Sequence, residues 1–329
     1  MRRRSVRALF CLLGRGAHAV QTLTTELVRS IPELSRGQHH FIHTFSRIHW
    51  PTNLITIVFI GDSTARNLMQ SLCAAMHVVP EPTAVPLQRG TCKGILGMNQ
   101  RVKFMAVYFG NIGIDPQALA ELRKAWIVPT AVYFTAGLWL VYPRPTAFAL
   151  NRNWNAASYQ TWLLYEYSLQ VALQTYSRDE PYAILLPAAP HIMCDEKCYG
   201  DFHLSHHPMH HLACYNTLTK EANVTAEVAD RDCRHGLRKR ENMLRLKRRW
   251  HHAITDFRKW SAQWSWTHSP KFNISRVAPV DATTLQMNRC DALLGRDNSH
   301  FVPLLYQELQ LVFCSMIEGM GIRERQCRA

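Results

Sequence analysis

A serine in one short block, and an aspartate with a histidine in another, carry the clearest chemistry in this chain. Ile55 to Ile60 is β-branched and apolar, stops at Gly61-Asp62-Ser63, and passes straight into a helical pattern with Leu68, Leu72 and Met76 on one side. A buried strand that turns directly into a helix projects the serine hydroxyl from the carboxyl edge of a sheet, where α/β folds bind their ligands. It also sets Ser63 at a helix N-terminus, where backbone N–H groups and the helix dipole favour developing negative charge. The plainer role for a serine in that place is to cap the helix.

The second block, Asp297-Asn298-Ser299-His300, has a carboxylate three residues before an imidazole. In a loop or helical turn this spacing brings the carboxylate to one ring nitrogen and leaves the other for a hydroxyl. Asp297 then fixes the tautomer and stabilises the imidazolium, while His300 takes the proton from Ser63. The plainer reading is a polar loop ahead of a C-terminal helix.

Taken in order, the two blocks resemble the PC-esterase branch of the GDSL/SGNH hydrolases, which includes the plant trichome-birefringence-like proteins. That branch has Gly-Asp-Ser after an N-terminal strand and Asp-x-x-His near the C-terminus. Here the first block continues as Gly61-Asp62-Ser63-Thr64-Ala65-Arg66-Asn67, the form most similar to the trichome-birefringence-like members. After His300, Phe301-Val302-Pro303-Leu304-Leu305 stands where that family has an aromatic, proline-containing tail.

The resemblance implies a three-layer α/β/α sandwich with a mainly parallel sheet. It also implies O-acyl, above all O-acetyl, transfer to carbohydrate hydroxyls or the matching hydrolysis. The triad would be Ser63, Asp297 and His300, with Gly61, Asp62, Arg66, Gly110, Asn111 and Gly137 as oxyanion or substrate contacts. No bound cofactor is implied, only an acyl donor such as acetyl-CoA if the protein is a transferase. A catalytically silent glycan-binding protein of the same fold is the alternative.

Two departures from the family stand out. Its glycine–aromatic block, often Asn-Thr-Gly-His-Trp, reads Thr135-Ala136-Gly137-Leu138-Trp139 here, so Thr135 replaces the asparagine that helps hold the oxyanion. Loss of one such donor costs about 10² to 10³ in turnover. The cysteines that flank Asp-x-x-His in plant members are also replaced, by Asn298 and Val302.

The elements that must position these residues alternate between strand and helix. Strands are expected at 55–60, 102–109, 131–135 and 182–186, with helices at 64–76, 116–126, 162–176 and 301–317. That rhythm predicts a parallel sheet with helices on both faces. Residues 21–54 show no sustained period and read as a lead-in to a catalytic domain over 55–329. Residues 190–275 break the rhythm and read as a basic, His- and Cys-rich insertion or lid. Within them Met243, Leu246, Trp250, Ile254, Phe257 and Trp264 make an apolar helical stripe opposite many basic residues.

With 47% hydrophobic and 19% charged residues, the 329-residue chain has the composition of a globular protein rather than a disordered one. No apolar run reaches the roughly 18 to 20 residues that span a bilayer, so a soluble or lumenal protein without a transmembrane span is expected. Its 38 Lys and Arg against 24 Asp and Glu give +14, which favours anionic partners such as an acidic glycan or a phosphate-bearing acyl donor. The basic segment 231–259 carries its aromatic residues on the apolar stripe, so packing explains them before nucleic acid does, and no nucleic-acid partner is expected.

Arg2, Arg3, Arg4 and Arg7, then Ala8–Leu13, then Ala17-His18-Ala19 read as a short targeting peptide over 1–20. Secretory delivery to the Golgi lumen or outside the cell is expected, an organellar transit peptide being the alternative. Ten cysteines and the sequons at Asn223 and Asn273 acquire meaning in that compartment. His203, His207 and His211 have helix-face spacing that zinc can use, but Pro208 interrupts the helix, and no metal site is assigned.

Overall fold

A computed structural model describes residues 31–82, 89–96, 102–110, 124, 127–135, 159–179, 182–191, 219, 225–227, 240–268, 276–287, 289, 292, 302–324 and 327. Strands β1 (Leu54–Gly61), β2 (Glu81–Pro82), β3 (Arg89–Ile95), β4 (Lys103–Gly110), β5 (Ala131–Phe134) and β6 (Ile184–Pro187) form one sheet. Their order is β2-β3-β4-β1-β5-β6. The run β4-β1-β5-β6 is parallel, and β3 joins antiparallel to β4, with β2 antiparallel to β3.

The helices are α1 (Pro32–Phe45), α2 (Ser63–Ala75), α3 (Tyr159–Asp179), α4 (Arg240–His268), α5 (Ala282–Gln286) and α6 (Leu305–Gly319). They cover both faces of the sheet. Because successive side chains of a strand point to opposite faces, Ile55, Ile57 and Phe59 of β1 pack with α1, α2 and α6, whereas Val58 and Ile60 pack with α3 and α4. The parallel strands are thus buried on both sides, which is why they read as continuous apolar runs.

The expected strands and the helices at 64–76, 162–176 and 301–317 each have a counterpart among these elements, with ends shifted by at most four residues, the last beginning as a 3₁₀ turn at Val302–Leu304. The helix expected at 116–126 lies almost wholly outside the described residues. Four elements were not foreseen: α1, β2, β3 and the short α5. The segment read as a lead-in contains α1, whose Leu34, Phe41 and Phe45 are fully buried. Phe41 and Phe45 meet Phe313 of α6 with ring centroids 4.9 and 5.0 Å apart. Between Leu34 and Phe41 the inward turn carries Gly37, which rests on Tyr306, so no apolar residue marks the helical period there.

Among the unforeseen elements, β3 has the sequence Arg-Gly-Thr-Cys-Lys-Gly-Ile, with little apolar alternation. Its glycines serve packing: a Cβ at Gly90 or Gly94 would lie 2.8 and 2.7 Å from Met69 and Met76. Within the stretch read as an insertion, α4 buries Leu246, Trp250, Ala253, Ile254 and Phe257 in the core of one sheet face. Trp250 donates its indole N–H to the Pro187 carbonyl at 3.3 Å.

Disulfides join Cys73 to Cys92 and Cys314 to Cys327. The first ties the end of α2 to β3, and the second ties α6 to the C-terminal tail. Among the described residues no helix is long and apolar enough to cross a membrane. The disulfides are compatible with a secreted or lumenal protein.

Closing a loop of 19 residues with Cys73–Cys92 is worth about 3 kcal/mol through the unfolded chain. A Cys73→Ser, Cys92→Ser variant is expected to lose about that much in urea unfolding.

Candidate functional site

The chain reverses its direction of strand addition at β1. After β1 the chain goes on to build β2, β3 and β4 on one side, then crosses over to β5 and β6 on the other. The carboxyl end of such a strand is the crevice where open α/β sheets hold ligands. Gly61 ends β1 there, in register with Gly110 at the end of β4, and Thr135 follows the end of β5.

Gly61 is required by its surroundings. Its φ is +154°, and a Cβ would lie 2.6 Å from Thr135 Cγ2 and 3.2 Å from Ala65 Cβ. Thr135, at the position where the resembling family has asparagine, is therefore buried against the turn that precedes Ser63. Its backbone N–H donates to the Ile60 carbonyl at 3.0 Å.

Asp62 caps α2. Its Oδ1 accepts from the Thr64 backbone N–H at 2.8 Å and from the Thr64 hydroxyl at 2.6 Å. This carboxylate is 6% exposed. One oxygen of this carboxylate is thus committed to the helix cap. Ser63 is the first residue of the helix and is partly exposed.

Arg66 lies one turn further along, also partly exposed, with its backbone N–H on the Asp62 carbonyl at 3.2 Å. Its Nε and Nη2 are buried and have no hydrogen-bond partner among the described residues. Tyr108 donates its hydroxyl to the Gly61 carbonyl at 3.4 Å. Burial pushes that phenol up to about 12, with the Arg66 guanidinium pulling it down and the Asp62 carboxylate adding to the rise.

Behind this turn lies a buried polar chain that sequence reasoning missed. His191, just past β6, stands with Nδ1 3.3 Å from Thr64 Oγ1 and Nε2 2.6 Å from Glu308 Oε1. His191 and Glu308 are each 2% exposed. Glu308 also accepts from the Tyr133 hydroxyl at 3.2 Å and from Gln286 Nε2 at 3.3 Å. The segment before His191 is pinned by Thr283, whose hydroxyl donates to the Pro190 carbonyl.

The protons in this chain follow from counting donors. The single Thr64 hydroxyl proton goes to Asp62, so Thr64 Oγ1 accepts from His191 Nδ1–H. Glu308 accepts throughout, so His191 Nε2 donates as well. An imidazolium, with hydrogen on both ring nitrogens, is the form of His191 that matches these acceptors. Burial alone would push its pKa down. The Glu308 carboxylate, through charge and hydrogen bond, outweighs that, Asp62 adds to it, and the net shift is upward.

Glu308 had one available signal: it is an acid on the inward side of an otherwise apolar helix, between Leu305 and Leu309. His191 had a weaker one, a Pro-His step directly after a strand.

Hydroxyl, imidazole and carboxylate thus stand in the sequence of a nucleophile relay. Thr64 is 5% exposed and its proton is held by Asp62, so the arrangement braces the turn rather than presenting a hydroxyl. Of the residues singled out from sequence, Gly61, Asp62, Ser63, Arg66 and Gly110 gather around the ends of β1 and β4. Asn111, Gly137, Asp297 and His300, together with the His203–His211 cluster, lie outside the described residues. Compared with known proteins, the chain matches no family model and no curated protein.

Two outcomes follow. Gly61→Ala should cost about 3 kcal/mol or more in chemical denaturation, from strain and overpacking together. The His191 pKa is raised above the ordinary 6.5, so its contribution is complete below that value and fades as pH climbs through the raised one. The stability gap between wild type and His191→Gln, about 3 to 5 kcal/mol at about pH 6, should narrow toward about pH 9 in urea titrations.

Proposed function

We propose that this chain is a serine-dependent O-acyl transferase or esterase of the SGNH type, acting on carbohydrate hydroxyls through an acyl-serine intermediate. The observation that carries the reading is the identity of the helix cap. Asp62 fills that role, so capping does not explain a serine at the first helical position, at the end of the strand where the chain reverses.

Ser63 is the nucleophile. His300, oriented by Asp297, takes the hydroxyl proton as Ser63 attacks the acyl carbonyl. The first backbone N–H groups of α2, with the helix dipole behind them, offer stabilisation to the oxyanion. The proton passes to the leaving group, an acyl-serine remains, and a sugar hydroxyl or water, deprotonated by His300, releases the acyl group. The buried N–H groups of Arg66 suit an anionic group on the glycan or on an acyl donor such as acetyl-CoA, in keeping with the +14 net charge. Disulfides support work in the Golgi lumen or outside the cell.

One observation favours a second reading. Thr135 is packed against Gly61 at the place of the family's oxyanion asparagine, which suits a glycan-binding protein that keeps the fold without turnover.

A serine-directed fluorophosphonate probe separates the two. An adduct on Ser63, mapped by peptide mass spectrometry and absent in His300→Ala, is expected. Acyl-ester turnover should fall to background in Ser63→Ala, a loss of about 10⁶-fold, and by about 10⁴-fold in Asp297→Asn. A wild-type protein that takes up no probe at Ser63 and turns over no acyl ester is the binding protein instead.

A further inference from the structure

We infer that His191, held by Glu308, is a positioning residue for Ser63: it fixes the Asp62–Thr64 bracket between which the serine is strung. The inference rests on the reading of Ser63 as nucleophile, but its structural half stands separately.

Asp62 caps α2 through two bonds, both from Thr64. The Thr64 hydroxyl gives its one proton to Asp62, which leaves an oxygen lone pair free to accept, and a donor there polarises the O–H and strengthens its bond to the carboxylate. That donor is His191 Nδ1–H. His191 in turn cannot rotate away, because its other nitrogen is tied to Glu308, which Tyr133 and Gln286 fix from β5 and α5. A rigid line therefore runs from α6 through the end of β6 to the residues on either side of Ser63.

Loss of the second ring proton breaks this line at one place. The charged groups that act on His191 are Glu308 of α6 and Asp62 of the β1–α2 turn. Tyr133 of β5 faces both of these carboxylates, and Tyr108 of β4 faces Asp62 and Arg66. Of the two ring protons, the one on Nε2 is kept by the shorter bond to a carboxylate. Nδ1 then becomes an acceptor and competes with Asp62 for the Thr64 hydroxyl proton. One of the two bonds that cap α2 is lost, and Ser63 is released from its fixed place. A displacement of about 1 Å at a reacting group costs on the order of 10²-fold in rate.

The test uses two amide substitutions that split the imidazole's contacts. In His191→Gln the side-chain nitrogen reaches the Nε2 position and keeps Glu308, whereas in His191→Asn it reaches the Nδ1 position and keeps Thr64. Two readouts apply to the full chain at about pH 6.5. They are amide exchange of the peptide spanning Gly61–Arg66, by mass spectrometry, and the rate of fluorophosphonate labelling at Ser63.

His191→Gln is expected to speed exchange in that peptide and slow labelling by about 10²-fold, while His191→Asn retains more of both. Thr64→Val should behave like His191→Gln, and Thr64→Ser should restore both readouts, which guards against a His191 variant that fails to fold. Wild-type labelling should also fall at alkaline pH ahead of the fall in Thr64→Val. Exchange unchanged in folded His191→Gln and Thr64→Val would overturn the positioning role. Faster exchange in those variants, with no adduct on Ser63 even in the wild type, would uphold the bracket and sink the nucleophile reading instead.

Discussion

His191 is placed to carry charge, because each of its ring nitrogens faces an oxygen that serves as an acceptor. On one side is the Thr64 hydroxyl, already donating to Asp62; on the other is Glu308, already accepting from Tyr133 and Gln286. Burying two carboxylates and an imidazolium is costly, and such a group holds only when its bonds are complete. Here each of the three has partners, and the completeness depends on five separate parts of the chain arriving together. The turn after β1 contributes Asp62 and Thr64, and β5, the exit of β6, α5 and the inner face of α6 contribute Tyr133, His191, Gln286 and Glu308.

That requirement constrains the rest of the fold. Glu308 reaches the site only because α6 lies on the same sheet face as α2, where Tyr306 donates to the Ser71 carbonyl at 3.1 Å and Phe313 packs on Phe41 and Phe45 of α1. Tyr133 points to that face because its position along β5 gives it the same parity as Phe59 on β1. His191 is delivered by a short proline-bounded exit from β6, held by Thr283 and by the Ala189 N–H on the Val280 carbonyl at 2.8 Å. The polar chain and the hydrophobic core are thus two aspects of one packing arrangement.

The turn carrying Ser63 combines opposite demands. Gly61 has no side chain because Thr135 and Ala65 occupy its space, and its backbone conformation is one that other residues seldom adopt. Asp62 is turned inward to cap the helix, and Thr64 is turned inward to satisfy Asp62. The serine between them is partly exposed. Strand end, cap and helix dipole therefore converge on a single residue, an arrangement suited to holding a hydroxyl firmly at a crevice.

Much of this frame was legible in the chain itself. The parallel strands announced themselves as unbroken β-branched and apolar runs because both of their faces are covered, and α2 and α4 showed their buried stripes at helical spacing. Gly61-Asp62-Ser63 marked the crevice for the same reason, since a strand that stops at glycine before an amphipathic helix leaves few places for the next side chain. Local pattern did not reveal α1, because the inward turn around Gly37 is filled by Tyr306 from the far end of the chain. Nor did it reveal β3, whose glycines make room for Met69 and Met76. The pairing of His191 with Glu308 was beyond it altogether: a lone histidine after a strand and a lone acid in an apolar helix acquire their meaning only from each other. Sequence determines which segments are strands, helices and turns, because those depend on neighbours along the chain. Which charges meet in the interior was decided by tertiary structure, because a buried ion pair needs partners that only the packed sheet brings within hydrogen-bond reach.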